Sequence, residues 1–388
     1  MYHLYGPLAR KHEVWWLSRN DAKTEDSLRN TERMFTRVVA VAVPPEPLRI
    51  AGPVTRARAW LGYFMAGYRR PPFPVCEGLR SALGSLLDDS FDAVLVEHEA
   101  MAAYVTDRTN DVPWILNTQN IPSVLARRVW QYARGSRERY RSRLACHATL
   151  DFEADTFPKF DAVAVVSELE RRALKKRFPR IRLFCVPNGV SSDLVHRAVQ
   201  GQPNGRVLNF TGTFQYEPNR DAIRYFCSAI FPEVLRRDGS VKLQLVGEDS
   251  DLMARSLPAN LPVTGLGHVN DPLEPLAKCA AVVAPFRLGA GTRIKILEGI
   301  AAGRPVIATS VGAEGIELDA SCGLLIADDP RDFAEKVLLA LCDPGVSHAA
   351  QRTGRARVLR DCTWESASSK LEEAVAAVTT SGAHAVRP

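Results

Sequence analysis

Short apolar runs alternate with longer segments of helical spacing along the whole chain. In the first half, the runs that predict strands are 14–17, 37–43, 91–98, 114–120, 161–167 and 183–187. They are continuous apolar runs, as is typical of parallel strands that are buried on both faces. Helical segments separate most of them, so the first half predicts a doubly wound α/β domain.

The segment 186–205 is rich in Gly, Pro, Asn and Ser, and the alternation restarts after it. The apolar runs of the second half are 206–213, 241–247, 261–267, 280–286, 305–310 and 323–327, and a helix is predicted from Asn219 to about Arg236. We therefore predict α/β architecture with two Rossmann-like domains, and the cleft between them is a candidate site.

The predicted domain bounds follow from this change in composition. The predicted N-terminal domain covers 1–188 and the linker covers 189–205. The predicted C-terminal domain covers 206–362, and a C-terminal helix and tail cover 363–388.

The start of the chain departs from the order expected of such a domain. A Rossmann-like domain opens with a strand and a glycine-rich turn, whereas Tyr2 to Lys11 has the pattern of the helix that follows them. Either the true start lies upstream of Met1, or the first domain lacks an inner strand. We favour the upstream start, because a missing inner strand leaves buried backbone groups unpaired.

A glycine-rich loop with an unusual charge pattern lies in the stretch APFRLGAGTRIKILEGIAAGRPV, residues 284–306. A loop of this kind that enters a helix offers backbone N–H groups and the positive end of the helix dipole, which suits a phosphate. Arg293 and Lys295 lie in the first turn, where cations cost helix stability unless an anion compensates. Glu298 can accept two hydrogen bonds from ribose hydroxyls. The alternative interpretation of this stretch is a tight strand–helix turn followed by a solvated helix face that binds no ligand.

Composition and charge fit a globular protein and exclude few functions. Hydrophobic residues make up 46% and charged residues 24% of the chain, and the formal charge of +6 permits an anionic ligand without requiring one. The eight cysteines show no metal-ligand or redox spacing. The N-terminus lacks the pattern of a secretory signal, and no apolar run is long enough to span a membrane. We therefore expect a cytoplasmic protein with reduced thiols.

The loop and several other motifs resemble the GT-B glycosyltransferases of family 4. The motifs are the block 285–316, TGTFQYEPNRDAIRYF, LVGE, GLGHVNDP, VVSELE, VPNGV and CTWESASSKLEEAV. The resemblance runs from about His3 to Val378. It implies two Rossmann-like domains facing across a cleft, with the C-terminal helix returning toward the first. It also implies retaining transfer from a UDP-, GDP- or dTDP-linked sugar, without a metal and without any other cofactor.

The resemblance implies roles for individual residues of the loop. Glu298 matches the second glutamate of the family's Glu, seven residues, Glu motif, which binds the donor ribose. The first glutamate falls on Ala290, which excludes sugar recognition by a carboxylate there and leaves Gly289 and Ala290 adjacent to the sugar. A sub-branch of the family has small residues at this position and the same GTRIKILE continuation.

A second departure concerns the cations that hold the diphosphate in the family. Phe214 and Asn219 stand near the places of the family's arginine and lysine, so Arg293 and Lys295 become the expected counter-charges. The backbone is expected to approach the diphosphate at Gly212, Gly291 and Thr292. The resemblance also implies that main-chain groups around His268 and Val269 face the nucleobase.

His98 ends a predicted strand of the first domain. It is similar to the histidine of the family's His-Glu-Pro segment, which approaches the reacting sugar and phosphate, so His98 is the candidate catalytic residue. Glu99, Gln119 and Asn120 are expected to line the acceptor side of the cleft. The alternative for His98 is a strand-end histidine that is satisfied by the backbone.

The segment Arg127–Arg143 holds seven arginines and one glutamate, with Trp130, Tyr132 and Tyr140 among them. This composition suits an anionic membrane surface at the inner membrane face or a phosphorylated acceptor. The alternative is a solvated helix face. We predict no nucleic-acid binding, because no recognised motif accompanies the charge.

We therefore predict a retaining, metal-independent hexosyltransferase of bacterial-type glycoconjugate or natural-product glycosylation. The acceptor is a lipid-linked sugar, a polysaccharide or a small molecule. No Asp-x-Asp motif stands in a plausible strand-end context. Two alternatives remain: a nucleotide-sugar epimerase on the same architecture, and a non-catalytic donor-binding partner of a glycosylation complex.

Overall fold

The computed structural model describes residues 2–20, 25–42, 75–108, 111–133, 135–192, 194, 205–271 and 273–382. Residue contacts divide the chain into two units. Unit 1 comprises Met1–Val186 with Ser368–Pro388, and unit 2 comprises Pro187–Ala367. Val43 of a predicted strand, Arg134 of the basic segment, 195–204 of the predicted linker and 383–388 of the predicted tail lie outside the described residues.

Unit 1 contains six strands, all in parallel pairs, within its described residues. The strands are β1 (Trp15–Asn20), β2 (Arg37–Ala42), β3 (Val94–Glu97), β4 (Trp114–Asn117), β5 (Ala162–Val165) and β6 (Arg182–Cys185). The helices are α1 (Tyr2–Ala9), α2 (Glu25–Glu32), α3 (Glu77–Leu86), α4 (Pro122–Tyr132), α5 (Ser136–Thr156) and α6 (Glu168–Arg177). Short 3₁₀ turns cover Glu99–Asp107 and Phe157–Lys159.

The strands of unit 1 form two sheets in the described part of the chain. β1 pairs with β2, and β3, β4, β5 and β6 form a four-stranded sheet in that order. The central strands β4 and β5 are buried along their whole length, as their continuous apolar runs predicted. Trp114 and Phe157 fill the core on one side of this sheet.

The C-terminal helix α15 (Trp364–Gly382) packs on the sheet of unit 1. Val378 of α15 is buried against Ile115 of β4 and Ala162 of β5. Glu372 of the same helix accepts hydrogen bonds from Lys11 at 2.7 Å and from His12 at 2.9 Å, just after α1. The helix therefore returns to the first unit, as the resemblance implied.

Unit 2 alternates strands and helices from its first strand onward. Its strands are β7 (Val207–Thr211), β8 (Lys242–Val246), β9 (Val263–Gly265), β10 (Ala281–Ala284), β11 (Val306–Ala308) and β12 (Leu324–Ile326). Its helices are α7 (Glu217–Tyr225), α8 (Phe231–Arg237), α9 (Ser250–Arg255), α10 (Leu273–Lys278), α11 (Ile294–Ala301), α12 (Pro330–Cys342), α13 (Pro344–Ala349) and α14 (Arg355–Asp361). A 3₁₀ turn covers Ala320–Cys322, and π turns cover Phe226–Ile230 and Ala350–Gly354.

The six strands that the structure describes in unit 2 form one parallel sheet in the order β12, β11, β10, β7, β8, β9. Every apolar run that predicted a strand in this half contains one. The predicted helix Asn219–Arg236 is present as α7 and α8, with the π turn between them. The prediction of two Rossmann-like α/β units is confirmed.

Candidate functional site

The centre of the second sheet is a topological switch point. β7 and β10 are neighbours, and the chain continues to β8 and β9 on one side and to β11 and β12 on the other. The loops that leave β7 and β10 therefore diverge from adjacent strand ends. Ligands of open α/β sheets bind at this kind of position.

The loop between β10 and α11 depends on two glycines with positive φ. Gly289 has a φ of 134° and Gly291 a φ of 74°, which are conformations that favour glycine. A Cβ on Gly289 would lie 2.0 Å from Nη2 of Arg293. Because glycine has no Cβ, the guanidinium of Arg293 can approach the backbone of Gly289 closely.

Arg293 is the N-cap residue of α11, and its side chain folds back onto the loop. Its Nη1 donates to the carbonyl oxygen of Ala290 at 2.6 Å and to that of Gly291 at 2.7 Å. Its guanidinium carbon lies 5.1 Å from the centroid of the Phe286 ring. Arg293 thus braces the loop while its charge stays beside the helix N-terminus.

Lys295 connects the two loops of the switch point. Its Nζ donates to Oδ1 of Asn219 at 2.9 Å and lies 4.0 Å and 4.6 Å from the ring centroids of Phe210 and Phe286. Nδ2 of Asn219 in turn donates to the carbonyl oxygen of Thr213 at 2.7 Å. Asn219, which stands near the place of a family lysine, therefore positions a lysine that comes from α11.

Gly212 leaves room for this contact. A Cβ there would lie 2.7 Å from Nδ2 of Asn219 and 3.0 Å from Nζ of Lys295. The N–H of Gly212 donates to the carbonyl oxygen of Val246 at 2.8 Å. The structure thus gives Gly212 a packing reason that the sequence alone did not show.

Glu298 lies one turn beyond Lys295 on the same helix and is half-buried. In the described ranges, no hydrogen bond or ion pair engages its carboxylate. Burial raises the pKa of Glu298, and the nearby charge of Lys295 offsets part of that rise. Both oxygens are therefore available to a ligand.

The electrostatics of Lys295 mirror those of Glu298. Burial holds the pKa of Lys295 well below its ordinary value, repulsion by Arg293 lowers it further, and Glu298 offsets part of the effect. The protein thus holds an amine and a carboxylate in surroundings that disfavour both charges. An anionic ligand that also carries hydroxyl groups would stabilise both charges.

The remaining predicted residues of unit 2 surround these loops. Ala290 is buried, and Oγ1 of Thr292 accepts a hydrogen bond from Nδ2 of Asn188 at 2.9 Å. His268 is exposed and Val269 half-buried, just after β9. Asn188 belongs to the motif VPNGV, but no spacing in the sequence predicts its contact with Thr292, which lies 104 positions further along the chain.

His98 follows the last residue of β3 and has an unusual backbone. Its φ of 79° and ψ of 137° are rare for a residue other than glycine. Its Nδ1 accepts the N–H of Ala100 at 3.1 Å. The backbone therefore satisfies one ring nitrogen, which agrees with the alternative interpretation of His98 as a strand-end histidine bonded to the backbone. The side chain is nevertheless 42% exposed and remains accessible to a ligand.

A carboxylate network that the sequence did not predict lies beside His98. Glu97, the last residue of β3, accepts hydrogen bonds from Tyr5 at 2.5 Å, from Asn117 at 2.7 Å and from Gln119 at 2.5 Å. Burial and the charge of Glu97 raise the pKa of Tyr5. The network fixes the carboxyl ends of β3 and β4 against α1.

The predicted acceptor-side residues lie at the same strand ends. Glu99 is buried, and its Oε2 accepts the N–H of Gln119 at 3.3 Å. Burial raises the pKa of Glu99, and hydrogen bonds from backbone groups, among them the N–H of Gln119, lower it in part. Gln119 and Asn120 are half-buried. The structure therefore brings His98, Glu99 and Gln119 into one cluster.

The arginine-rich segment forms the end of α4 and the start of α5. Residues 135–141 are exposed without interruption, so this end of α5 projects from unit 1. Tyr132 and Tyr140 are 49% and 50% exposed. The surface thus combines exposed aromatic rings with the arginines of the segment.

Two kinds of feature are absent from the described residues. No group of three or more His, Cys, Asp or Glu side chains in these ranges could hold a metal ion. No helix in the same ranges is both long enough and apolar enough to cross a membrane.

Part of the second unit is similar in sequence to a known family of proteins. Residues 205–343 match the family model described as glycosyl transferases group 1. This range contains both loops of the switch point, Lys295 and Glu298. No curated protein sequence matches the chain.

Solved structures with the same fold cover nearly the whole chain. Sucrose-phosphate synthase from Thermosynechococcus elongatus is 16% identical, with a TM-score of 0.69 over 97% of this chain and 92% of its own. Anabaena HepE in complex with UDP-glucose is 12% identical, with a TM-score of 0.63 over 97% of this chain and 94% of its own.

A third solved structure is similar over a smaller share. S. aureus TarM, in a complex that contains UDP, is 16% identical with a TM-score of 0.59, and the match covers 77% of this chain. The chain spans 58% of the length of TarM. The neighbours have the GT-B fold, which confirms the predicted fold class.

Proposed function

We propose that the protein is a retaining glycosyltransferase that moves a hexose-type sugar from a nucleoside diphosphate to an acceptor. The observation that carries this proposal is the pair formed by Lys295 and Glu298 on α11, at the switch point of the second sheet. Lys295 contacts Asn219 in the first turn of α7 and the ring of Phe286 just after β10, and Glu298 presents a carboxylate that no described side chain engages. A diphosphate attached to a ribose supplies partners for both.

Different residues of the loop and of α11 would contact different parts of the donor. The diphosphate would lie at the N-terminus of α11, against Lys295 and the backbone of Gly291 and Thr292. Glu298 would accept the ribose hydroxyls. The sugar would lie beside Gly289 and Ala290, where backbone groups replace the family's carboxylate.

The rest of the donor site follows from the resemblance. The nucleobase would contact the main chain around His268 and Val269. The HepE and TarM structures are complexes with UDP-glucose and with UDP, which supports UDP among the three candidate nucleotides. Residues 206–362 would form the donor-binding domain and residues 1–188 the acceptor-side domain.

The proposed chemistry needs no nucleophilic side chain. The bond between the anomeric carbon and the diphosphate oxygen breaks, and the acceptor hydroxyl oxygen bonds to that carbon on the same face. The acceptor proton passes to the leaving diphosphate oxygen. The helix N-terminus and Lys295 would stabilise the charge that develops on that oxygen, so the reaction needs no metal.

The acceptor would contact the strand ends of unit 1, where His98, Glu99 and Gln119 are clustered. The exposed arginines and tyrosines of Arg127–Arg143 would hold the protein on an anionic membrane surface, which suits a lipid-linked acceptor. The membrane contact does not depend on the donor site.

The test of the proposed function is donor turnover. The protein is incubated with UDP-, GDP- and dTDP-linked hexoses, with and without an acceptor panel, and release of the nucleoside diphosphate is measured. We expect slow release that an acceptor accelerates and that a metal chelator leaves unchanged. The control is Glu335→Gln, because Glu335 is exposed on α12 of the same unit.

Two other outcomes would contradict the proposal. Nucleotide binding without turnover or hydrolysis over the whole panel would identify a non-catalytic donor-binding partner. Conversion of the donor sugar without any acceptor would identify an epimerase.

A further inference from the structure

The backbone of His98 is held in a strained conformation by two neighbours. Its positive φ is one of two among residues other than glycine in the described ranges. Its N–H donates to the carbonyl oxygen of Asn117 at 2.9 Å, and its carbonyl oxygen accepts the N–H of Met101 at 2.9 Å. Strain of this kind persists where the surrounding structure enforces it, and it is concentrated at functional sites.

The strained turn brings a backbone donor to the imidazole ring. Nδ1 of His98 lies 3.1 Å from the N–H of Ala100 and accepts it. A ring nitrogen that accepts a hydrogen bond carries a lone pair, so the neutral ring must carry its proton on Nε2.

A competing arrangement exists in the same cluster. Oε2 of Glu99 lies 3.5 Å from Nδ1 of His98, and it would favour a proton on Nδ1. That distance exceeds the usual range for an N–H···O hydrogen bond, whereas the distance to Ala100 lies within it. Burial also raises the pKa of Glu99, which weakens its attraction for a proton on the ring.

We infer that His98 is a neutral hydrogen-bond donor through Nε2–H, held in that tautomer by the N–H of Ala100, and that it binds an oxygen of the substrate. In this state neither ring nitrogen can take the proton of the acceptor hydroxyl. His98 therefore stabilises charge on oxygen, and no proton moves through it. The role in catalysis rests on the proposed function, whereas the tautomer does not.

The tautomer is measured directly on the full chain without any substrate. The protein is labelled with ¹⁵N-histidine, and NMR at a pH where imidazole rings are neutral distinguishes Nε2–H from Nδ1–H. The spectrum of His98→Gln identifies the His98 signals among those of the eight histidines. We expect the Nε2–H form, and an Nδ1–H form would overturn the inference.

A matched pair of variants tests the cause. Ala100→Pro removes the backbone donor at the start of a 3₁₀ turn, where proline is tolerated, and it should raise the population of the Nδ1–H form. Ala100→Gly keeps the N–H, so it should leave the tautomer unchanged. Equal spectra for both variants would show that Ala100 does not set the tautomer.

Turnover tests the catalytic role. The amide nitrogen of glutamine lies near the place of Nε2, and that of asparagine lies near the place of Nδ1. We expect His98→Asn to lower kcat by roughly 100-fold, as the loss of one donor to a developing oxyanion does, and His98→Gln to lower it by less than about tenfold. Equal losses would refute the donor role. If the protein transfers no sugar at all, the proposed function fails and the NMR result still decides the tautomer.

Discussion

Exchange of Glu298 for glutamine is the sharpest test of the donor site, because glutamine keeps the shape of the side chain and removes its charge. In the described ranges no protein group bonds to this carboxylate, so the exchange breaks no hydrogen bond or ion pair within the protein. It removes bonds to the ligand and the support that Glu298 gives to the charge of Lys295. Hydrogen bonds to a charged group contribute about 1.5–3 kcal/mol. We therefore expect the Kd of the nucleoside diphosphate to rise by roughly 10- to 150-fold.

The assay is calorimetric titration with two ligands. The first is whichever of UDP, GDP and dTDP binds most tightly, and the second is its analogue that lacks the ribose hydroxyls. The wild-type protein should prefer the ligand with hydroxyls, and Glu298→Gln should bind both ligands almost equally. Glu335→Gln is the control for a charge lost from an exposed site, and it should bind like the wild type.

Thermal stability separates a ligand role from a structural role. Burial raises the pKa of Glu298 in the folded protein, so the carboxyl favours folding when protonated, and this benefit is lost as the pH rises through the raised pKa. Above the raised pKa the ionised group therefore costs stability, and Glu298→Gln should leave Tm unchanged or higher there. If Glu298→Gln has a lower Tm and loses the same affinity for both ligands, the ribose assignment is refuted.

The other predictions concern the two cations of the loop and the arginine-rich surface. Lys295→Met should weaken binding of the diphosphate much more than binding of the nucleoside, measured by the same titrations. Because burial lowers the pKa of Lys295, the wild-type affinity for the diphosphate should fall as the pH rises through the lowered pKa, and the variant should lose this dependence. Arg293→Ala should lower Tm and weaken binding of both the diphosphate and the nucleoside, because Arg293 braces the loop through two carbonyl groups. An unchanged Tm would contradict this structural role. Binding of the protein to anionic vesicles should fall roughly 100-fold when three exposed arginines of α5 are changed to glutamine. The wild-type protein should not bind to neutral vesicles. The three are Arg137, Arg139 and Arg141. The control removes three exposed bases of α6 and should bind like the wild type. These are Arg172, Lys175 and Lys176. Equal losses for both triple variants would refute the membrane surface.

Most of the fold was predictable because buried parallel strands leave a strong signal. β5 and β10 are apolar and buried at every position, and β4 is buried throughout and apolar up to its last residue, Asn117. The order of strands in each sheet has no such signal. β7 and β10 are neighbours in the sheet, yet β8 and β9 separate them along the chain.

The candidate site was predictable only where its geometry is local. Lys295 and Glu298 lie on one helix, so their spacing alone places them near each other. The contact between Lys295 and Asn219 joins residues that are 76 positions apart, and nothing in either segment predicts it. The inward turn of Arg293 depends on the positive φ of Gly289 and Gly291, which a sequence pattern does not give.

The C-terminal helix α15 constrains the order in which the protein can fold during synthesis. Unit 2 is a continuous stretch of chain, whereas unit 1 is completed by the residues from Ser368 onward. Val378 enters the core of unit 1 against β4 and β5, and it emerges from the ribosome only after all of unit 2. The first unit to begin synthesis is therefore the last to be completed, so a nascent chain exposes an unfinished core while the second unit folds.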